Sequence, residues 1–251
     1  MSAWQDLSRE LDEWQRSGRT ATFWWRDDDA ATTTSALDRL LALRRHHDVP
    51  IGLAVIPARA DTALADRLAA ERDVVVLQHG WAHANHAPVG MPKAELGPDR
   101  SVAFMLGELA RGRIVIDRLF GPKAIKVLVP PHNRIAPDLA AALPQAGYSG
   151  LSTYGPRKRP IAGLTLVNTH VDVMNWTTRA FAGEKTCLAL VLNHLRARRR
   201  GDVDAAEPTG LLTHHLAHDD AAWRFLDALL TALRAHAAVR FVGAAQAFGS
   251  A

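Results

Sequence analysis

Residues 21–29 read Ala-Thr-Phe-Trp-Trp-Arg-Asp-Asp-Asp, and this stretch decides the fold. Its first part is mostly apolar and aromatic, which predicts a buried β-strand. Carboxylates are costly at the end of a buried strand unless a cation meets them there. The three acids therefore indicate either a cation site just beyond the strand or the capped start of the following helix.

A second apolar run also ends in polar chemistry about fifty residues later. Val74-Val-Val-Leu77 is followed by Gln78 and by the sequence His79-Gly-Trp-Ala-His83. Two histidines four residues apart, joined by a carboxylate from a neighbouring strand end, form a His-His-Asp metal site with open positions. The alternative interpretation is that both histidines are ordinary loop residues.

Composition limits the class of protein. The chain has 251 residues, of which 48% are hydrophobic, enough for a large core. No run approaches eighteen uncharged apolar residues, so we expect no membrane span. The N-terminal residues lack the pattern of a signal peptide, and the lone Cys187 suits a reducing compartment, so a cytoplasmic location is expected. We expect Cys187 to fill the core of a helix face.

The charge pattern gives no reason to expect a nucleic-acid partner. The formal net charge is +4, and the densest basic run is Arg196-Ala-Arg-Arg-Arg200. This run follows a helix-like segment and precedes Gly201, so we interpret it as a solvated helix end whose cations complement the helix dipole. No nucleic-acid-binding motif accompanies it.

Strand-like and helix-like segments alternate along the chain. Predicted strands cover 22–26, 51–56, 74–78, 125–129, 149–153, 165–170, 210–214 and 239–242. Predicted helices cover 35–46, 62–70, 101–119, 137–145, 185–198 and 221–236, and an amphipathic helix covers about 3–17. Such alternation implies a parallel sheet.

The number of units favours an α/β barrel. Seven or eight units in about 250 residues predict a single-domain (β/α) barrel over 1–251, either complete or distorted and incomplete. An open doubly wound sheet is the alternative. The polar motifs follow the first, third, fourth, sixth and seventh predicted strands, and a barrel would bring all of these strand ends to one face.

Three further motifs follow strand ends. They are Val129-Pro-Pro-His-Asn133, Asp172-Val-Met-Asn-Trp176 and Leu212-Thr-His214, the last with His215 directly after it. Successive side chains of a strand face opposite ways, so only one of these two histidines can face a site.

The five motifs in this order resemble the polysaccharide deacetylases of the NodB-homology type, carbohydrate esterase family four. The resemblance is greatest to a divergent branch without signal peptides and runs from about residue 22 to residue 248. It implies the barrel fold of that family.

The resemblance also assigns roles to the first two motifs. It implies that Asp28 is the catalytic base and that Asp29 is a metal ligand together with His79 and His83. The three consecutive acids leave a second register open, in which Asp27 is the base and Asp28 the ligand. The sequence departs from the family at position 80, where Gly replaces the usual Ser or Thr.

The other motifs would complete the site. Pro131, His132 and Asn133 correspond to a turn whose backbone N–H helps to bind the oxyanion, but the Arg of that motif is absent, with Arg134 as a candidate substitute. Asp172 and Trp176 would line the substrate groove, with Asn175 where a second Asp is common. His214 would be the general acid, and His215 is its alternative.

The implied function is the hydrolysis of an acetyl or other acyl group from an N-acetylated sugar or glycan precursor. One divalent metal ion is implied, with Zn²⁺ the best match, and the enzyme would be a hydrolase of non-peptide C–N bonds. A nucleotide- or lipid-linked sugar precursor would suit a cytoplasmic location.

Two rival classes remain to be weighed. A non-catalytic carbohydrate-binding relative is the main alternative, because the third-motif Arg is missing and Asn175 departs from the family. Non-haem Fe(II) oxygenases also use two His and one carboxylate. They lie on all-β folds with the ligands close in sequence, so the alternation of strands and helices argues against them.

Overall fold

The computed structural model describes residues 2–249. The helices are α1 (Ala3–Arg16), α2 (Ser35–His47), α3 (Thr62–Ala69), α4 (Val102–Phe120), α5 (Pro137–Ala142), α6 (Glu184–Arg200), α7 (Asp220–Arg234) and α8 (Ala244–Ala247). The strands are β1 (Ala21–Ala30), β2 (Ile51–Val55), β3 (Val74–His79), β4 (Ala124–Val129), β5 (Gly150–Leu151), β6 (Thr165–Leu166), β7 (Val171–Asp172), β8 (Met174–Asn175), β9 (Ala180–Phe181), β10 (Thr209–Thr213) and β11 (Val239–Phe241).

The aromatic run of the sequence forms β1, an interior strand of the sheet. β1 pairs in parallel with β10 on one side and with β2 on the other, and its first residues also pair with β11. Phe23, Trp24 and Trp25 are all buried. Large aromatic side chains are favoured where a strand is covered on both faces, which explains the position of this segment.

The main sheet runs in the order β6-β5-β4-β3-β2-β1-β10-β7, with every neighbouring pair parallel. Within residues 2–249, no ladder joins the end strands β6 and β7. The predicted α/β barrel is therefore confirmed in its incomplete form. The carboxyl ends of β1, β3, β4, β7 and β10 share one edge, which positions the polar motifs together.

Helix α1 closes one side of the sheet by packing against α6. It begins with a capping box between Ser2 and Gln5, and Leu7, Leu11 and Trp14 are buried. Arg198 of α6 is also buried, its guanidinium 5.0 Å from the Trp14 ring centre.

The prediction of a fully solvated basic helix end is therefore wrong at Arg198. That guanidinium donates to Thr22 O at 2.9 Å and to Thr209 Oγ1 at 3.0 Å, so it links α6 to the sheet. Arg199 forms an ion pair with the buried Glu10 of α1. Cys187 is buried on α6, as expected of a core residue, and burial raises the pKa of its thiol to about 12.

The predicted strand over 165–170 is too long. β6 ends at Leu166, and the following polar side chains replace the ladder with their own hydrogen bonds. Asn168 Oδ1 accepts from Thr153 N at 2.8 Å, and Asn168 N donates to Glu207 Oε1 at 3.0 Å. A separate strand, β7, begins only at Val171, and the antiparallel β8–β9 pair that follows has no counterpart in the sequence prediction.

Among the described helices, none is both long enough and apolar enough to cross a membrane.

Candidate active site

The four polar side chains at the end of β1 point in different directions. Arg26 and Asp28 lie two residues apart, so they share a face of the strand, while Asp27 lies on the opposite face. The pairing with β2 shifts register between Asp27 and Ala30, and Asp29 has φ 73°. This left-handed residue breaks the alternation, so that Asp29 turns towards β3 rather than following Asp27.

The turned Asp29 meets the two histidines that follow β3. Asp29 Oδ1 lies 3.2 Å from His79 Nε2 and 3.2 Å from His83 Nε2. The three candidate ligand atoms lie within 4.8 Å of one another. His79 Nδ1 lies 3.0 Å from the carbonyl oxygen of Val129, to which it can only donate, so the lone pair of the neutral imidazole is on Nε2 and faces Asp29.

The donor set and its support fit a divalent metal. Imidazole nitrogens and a carboxylate suit Zn²⁺ and similar ions, and metal-binding histidines usually donate their other N–H to a carbonyl or carboxylate. In the metal-free protein, burial opposes protonation of His79, but Asp28 and Asp29 together raise its pKa. Burial alone would raise the pKa of Asp29, but the hydrogen bond from protonated His79 lowers it well below its usual range. Burial lowers the pKa of His83, and repulsion from His79 adds to this effect.

Asp28 is held by Arg26. The guanidinium makes two hydrogen bonds to the carboxylate, Nε to Oδ1 at 2.8 Å and Nη2 to Oδ2 at 2.9 Å. Arg26 is fully buried and also donates to Ser152 Oγ at 2.6 Å and Asn133 Oδ1 at 2.7 Å. The candidate substitute Arg134 instead donates to the carbonyl of Lys93. The guanidinium beside Asp28 therefore comes from the strand itself.

His214 faces the same space from the end of β10. Its Nε2 lies 4.0 Å from Asp28 Oδ2, and its Nδ1 lies 3.9 Å from Asp172 Oδ1. The indole of Trp176 stands edge-to-face on the His214 ring, with 4.5 Å between ring centres, and donates to Asp172 Oδ2 at 2.8 Å. Burial raises the pKa of Asp172. Trp176 thus contacts the His214 ring directly, and Asp172 lies next to it.

The two alternative residues, Asp27 and His215, pair with each other away from this space. His215 Nδ1 and the His215 backbone N–H both hydrogen-bond the Asp27 carboxylate, and Thr213 Oγ1 donates to it at 2.6 Å. Burial alone would raise the pKa of Asp27, but the charge of His215 and its hydrogen bond lower it. Both side chains are almost fully buried, so this pair ties β1 to β10.

The turn after β4 lies against the histidine cluster. His132 and Asn133 have φ 58° and 55°, and the His132 ring is edge-to-face with His83, 4.6 Å between centres. Asn133 N donates to Pro130 O at 2.9 Å, and Pro131 has no N–H, so the His132 N–H is the candidate oxyanion donor. Burial lowers the pKa of His132 to about 4, and His83 contributes to this shift.

A second buried cluster suits a metal less well. His170, His194 and Glu207 also place three potential ligand atoms within 4.8 Å. However, the N–H of Gly210 donates to His170 Nδ1 at 3.0 Å, so the neutral ring carries its proton on Nε2. A metal bound to Nε2 would leave neither ring nitrogen protonated, so the ring would have to be an imidazolate anion. We therefore interpret this cluster as part of the core.

Most of the residues that meet here lie in the sequence motifs, but Arg26 and Glu95 were not among the predicted site residues. In the sequence pattern, Arg26 is only the last residue of an apolar strand. A cation two residues before an acid on the same strand is a usable signal, because the two side chains share a face. Glu95 lies in the loop between β3 and α4, and local sequence gave no sign that it would be buried.

Comparison with known proteins supports the fold. No family model and no curated protein matches the chain. A family 4 acetyl xylan esterase from Clostridium thermocellum, solved with a cobalt ion, is 16% identical over 91% of this chain and 90% of its own, with a TM-score of 0.59. The peptidoglycan deacetylase PdaC from Bacillus subtilis is 16% identical over 91% and 90%, with a TM-score of 0.58.

A third solved structure is a mutant of a family-four pseudoenzyme with restored enzymatic activity. It is 13% identical over 92% of this chain and 68% of its own, with a TM-score of 0.61. At these identities the similarity shows a shared fold. The resemblance to the polysaccharide deacetylase-like proteins is confirmed at that level.

Proposed function

We propose that this protein is a metal-dependent deacetylase of acetylated carbohydrates. The observation that carries the proposal is the convergence of Asp29, His79 and His83 within ligand distance of one another, with Asp28 and His214 beside them. The shared fold with a family 4 acetyl xylan esterase and a peptidoglycan deacetylase supports the same chemistry.

In this proposal Asp29, His79 and His83 hold the ion. A divalent metal bound there supplies Lewis acidity, which polarises an acyl oxygen and makes a water easier to deprotonate. We favour Zn²⁺ because two imidazoles and one carboxylate with open positions are typical of catalytic zinc. The cobalt ion in the C. thermocellum structure is consistent with other divalent ions also fitting.

Asp28 accepts the proton of the attacking water. Its carboxylate is fixed by two hydrogen bonds from Arg26, so that it cannot rotate away from the site. Such fixation favours general base catalysis, because the acceptor is already in place when the proton is transferred. The His132 backbone N–H stabilises the developing oxyanion.

His214 gives a proton to the leaving nitrogen. With Asp172 next to Nδ1, the Nε2 of His214 is directed towards Asp28 and the site. Trp176 is about half-exposed while contacting the His214 ring, so it offers an apolar surface on which a sugar ring can stack. Hydrolysis of the C–N bond of an N-acetylated sugar or glycan precursor gives acetate and the corresponding free amine.

Metal analysis followed by an activity assay tests the proposal. Protein purified without chelators should contain about one divalent ion per chain, as single-metal catalytic sites do. It should release acetate from N-acetylglucosamine oligomers, and chelation should abolish this release until Zn²⁺ or Co²⁺ is returned. Metal-loaded protein with no esterase or amidase activity would contradict the enzymatic proposal.

The alternative is a carbohydrate-binding protein without activity. The pseudoenzyme among the solved structures with this fold supports considering it, together with the absent third-motif Arg and Asn175. Such a protein would bind N-acetylglucosamine oligomers in a titration but release no acetate. Binding with turnover would exclude this alternative.

A further inference from the structure

Glu95 is a fully buried carboxylate beneath the loop that carries His83. Its Oε2 accepts from the backbone N–H of Trp81 at 3.0 Å, and its Oε1 accepts from the N–H groups of Ala82 at 2.7 Å and Ala84 at 3.3 Å. Three backbone donors of one short loop therefore converge on one side chain.

The loop has the geometry of an anion-binding nest. Gly80 and His83 both have left-handed backbones, with φ 56° and 57°. Left-handed residues next to right-handed ones turn successive N–H groups towards a common point, which attracts an anion. Among residues 2–249, no Lys or Arg forms an ion pair with the Glu95 carboxylate, so its described side-chain partners are these N–H groups.

The same carboxylate explains the glycine at position 80. A Cβ built on Gly80 would overlap Glu95 Oε2 and would lie 2.6 Å from Pro131 Cδ. The volume that a Ser or Thr side chain would need is thus occupied by Glu95 and Pro131. The positive φ adds a second reason for glycine.

We infer that Glu95 is the positioning residue that holds His83 at the metal site. The two N–H groups that flank His83, those of Ala82 and Ala84, bind the same carboxylate oxygen. This clamp fixes the backbone on both sides of His83 and so fixes where its Nε2 lies, 3.2 Å from Asp29 Oδ1. The inference rests on the proposed metal site.

Both acceptor oxygens of Glu95, held at the full length of its side chain, are essential to this role. A carboxylate offers two acceptor oxygens, whereas an amide offers one oxygen and one NH₂. In Glu95→Gln the NH₂ would face at least one backbone N–H, so the nest would lose a partner although the side-chain shape is unchanged. Metal affinity should fall at least about tenfold, as it does when groups that orient metal ligands are changed.

Glu108→Gln is the matched control. Glu108 is also buried, on α4, and it pairs with Arg100, which donates to the Glu95 backbone carbonyl at 3.0 Å but not to its carboxylate. This substitution also removes one buried charge from the same region. It should therefore disturb stability while leaving the affinity for metal close to that of the wild type.

Co²⁺ titration of chelator-treated protein, followed by visible absorption, measures the affinity in all three proteins. Weaker binding in Glu95→Gln, with Glu108→Gln near wild type, supports the role of Glu95. Equal Co²⁺ affinity in the wild type and Glu95→Gln would overturn it. A wild type that binds no Co²⁺ would overturn both this inference and the proposed function, so the two failures are distinguishable.

Hydrogen exchange of the metal-free proteins gives a second readout. The amides of Trp81, Ala82 and Ala84 should exchange faster in Glu95→Gln than in Glu108→Gln. If Glu95→Gln does not fold, Glu95→Asp keeps the charge but shortens the side chain, and it should weaken Co²⁺ binding in the same direction. Unchanged exchange or unchanged binding in the folded variant would contradict the positioning role.

Discussion

Single residues at the end of β1 have distinct environments because the strand alternates and is then interrupted. Asp28 is paired with Arg26, Asp27 with His215, and Asp29 with the histidines after β3. The three acids, adjacent in sequence, therefore differ in burial and in partners. Substituting each one by Asn should produce three different defects.

The acid variants test the proposed register. Asp29→Asn should lose metal, because Asp29 Oδ1 faces both histidines. Asp28→Asn should keep metal and lose turnover by about 10²-fold or more, the range expected when a general base is removed. Asp27→Asn should lower the free energy of unfolding by roughly 3 kcal/mol, because it leaves His215 without its buried partner.

Elemental analysis, acetate release and denaturant unfolding measure these three properties in each variant. If Asp28→Asn sheds the metal while Asp29→Asn retains it, the register is one residue earlier and the assignment of Asp29 as ligand fails.

The two adjacent histidines at the end of β10 should also behave differently. His214→Ala should slow hydrolysis of an N-acetyl sugar far more than hydrolysis of an activated aryl acetate, because a poor leaving group needs the proton more. His215→Ala should instead lower stability, since His215 is bonded to the buried Asp27.

Rates on both substrates, compared at equal metal content, check this prediction. Equal losses on the two substrates in His214→Ala would indicate that His214 only supports the structure of the site. A larger selective loss in His215→Ala would indicate that the wrong histidine has been assigned.

At the scale of elements, helix α6 is attached to the sheet by buried polar groups as well as by apolar packing. His194 of α6 stacks on His170 with 3.5 Å between ring centres, and its Nδ1 lies 3.0 Å from Thr209 Oγ1. Arg198 and Glu207 also face this cluster. Burial, with repulsion from His170 and Arg198, lowers the pKa of His194 to about 2.

This lowered pKa predicts a loss of stability in acid. Below pH 6.5, the ordinary value for His, the unfolded chain binds a proton at His194 that the folded protein does not. Protonation of His194 in the unfolded chain therefore costs the folded protein little well above pH 6.5. As the pH falls below 6.5, the free energy of unfolding decreases by up to about 1.4 kcal/mol per pH unit. Between pH 7 and pH 5 the wild type should lose about 2 kcal/mol through this group.

His194→Gln removes the titrating group and keeps a side chain that can reach Thr209. Its free energy of unfolding should decline less steeply from pH 7 to pH 5 than that of the wild type, as measured by denaturant titration at each pH. Parallel curves for the two proteins would show that His194 is not a neutral buried group in the folded state.

At the scale of the whole molecule, the parts of the fold that depend on local sequence patterns could be predicted from the sequence. The alternation of strand-like and helix-like segments predicted the parallel sheet. These segments can be recognised because the spacing of apolar residues differs between strands and helices. The same patterns predicted that the motif-bearing strand ends would share one edge. His79 and His214 could be selected because each comes at the end of a strand-like run. His83 was selected by its spacing from His79, and His214 was preferred to His215 by the motif spacing of the family it resembles.

Features that depend on distant contacts could not be predicted in this way. Arg26 meets Ser152, 126 positions away, and Glu95 accepts from N–H groups whose direction depends on two left-handed residues. The local sequence around Arg198 predicts a solvated helix end, and only the contact with Trp14 of α1 shows that this side chain is covered. The turn of Asp29 requires φ 73°, which the run of three acids does not reveal.

The metal site should be visible in the stability of the whole protein. An ion that binds the folded state alone stabilises it by about 2.7 kcal/mol at a free concentration one hundred times its Kd. For a chain of this size, that corresponds to a rise of roughly 5–11 °C in Tm. Co²⁺ or Zn²⁺ added to chelator-treated protein should produce this shift, followed by scanning calorimetry.

His79→Ala should abolish the shift, because it removes a ligand whose Nε2 faces Asp29 at 3.2 Å. His86→Ala is the matched control, since His86 is an exposed histidine of the same loop outside the cluster. The control should retain the full metal-dependent rise in Tm. A rise of equal size in His79→Ala would place the stabilising ion elsewhere, whereas a rise lost only in that variant ties the stability of the incomplete barrel to the ion held between β1 and β3.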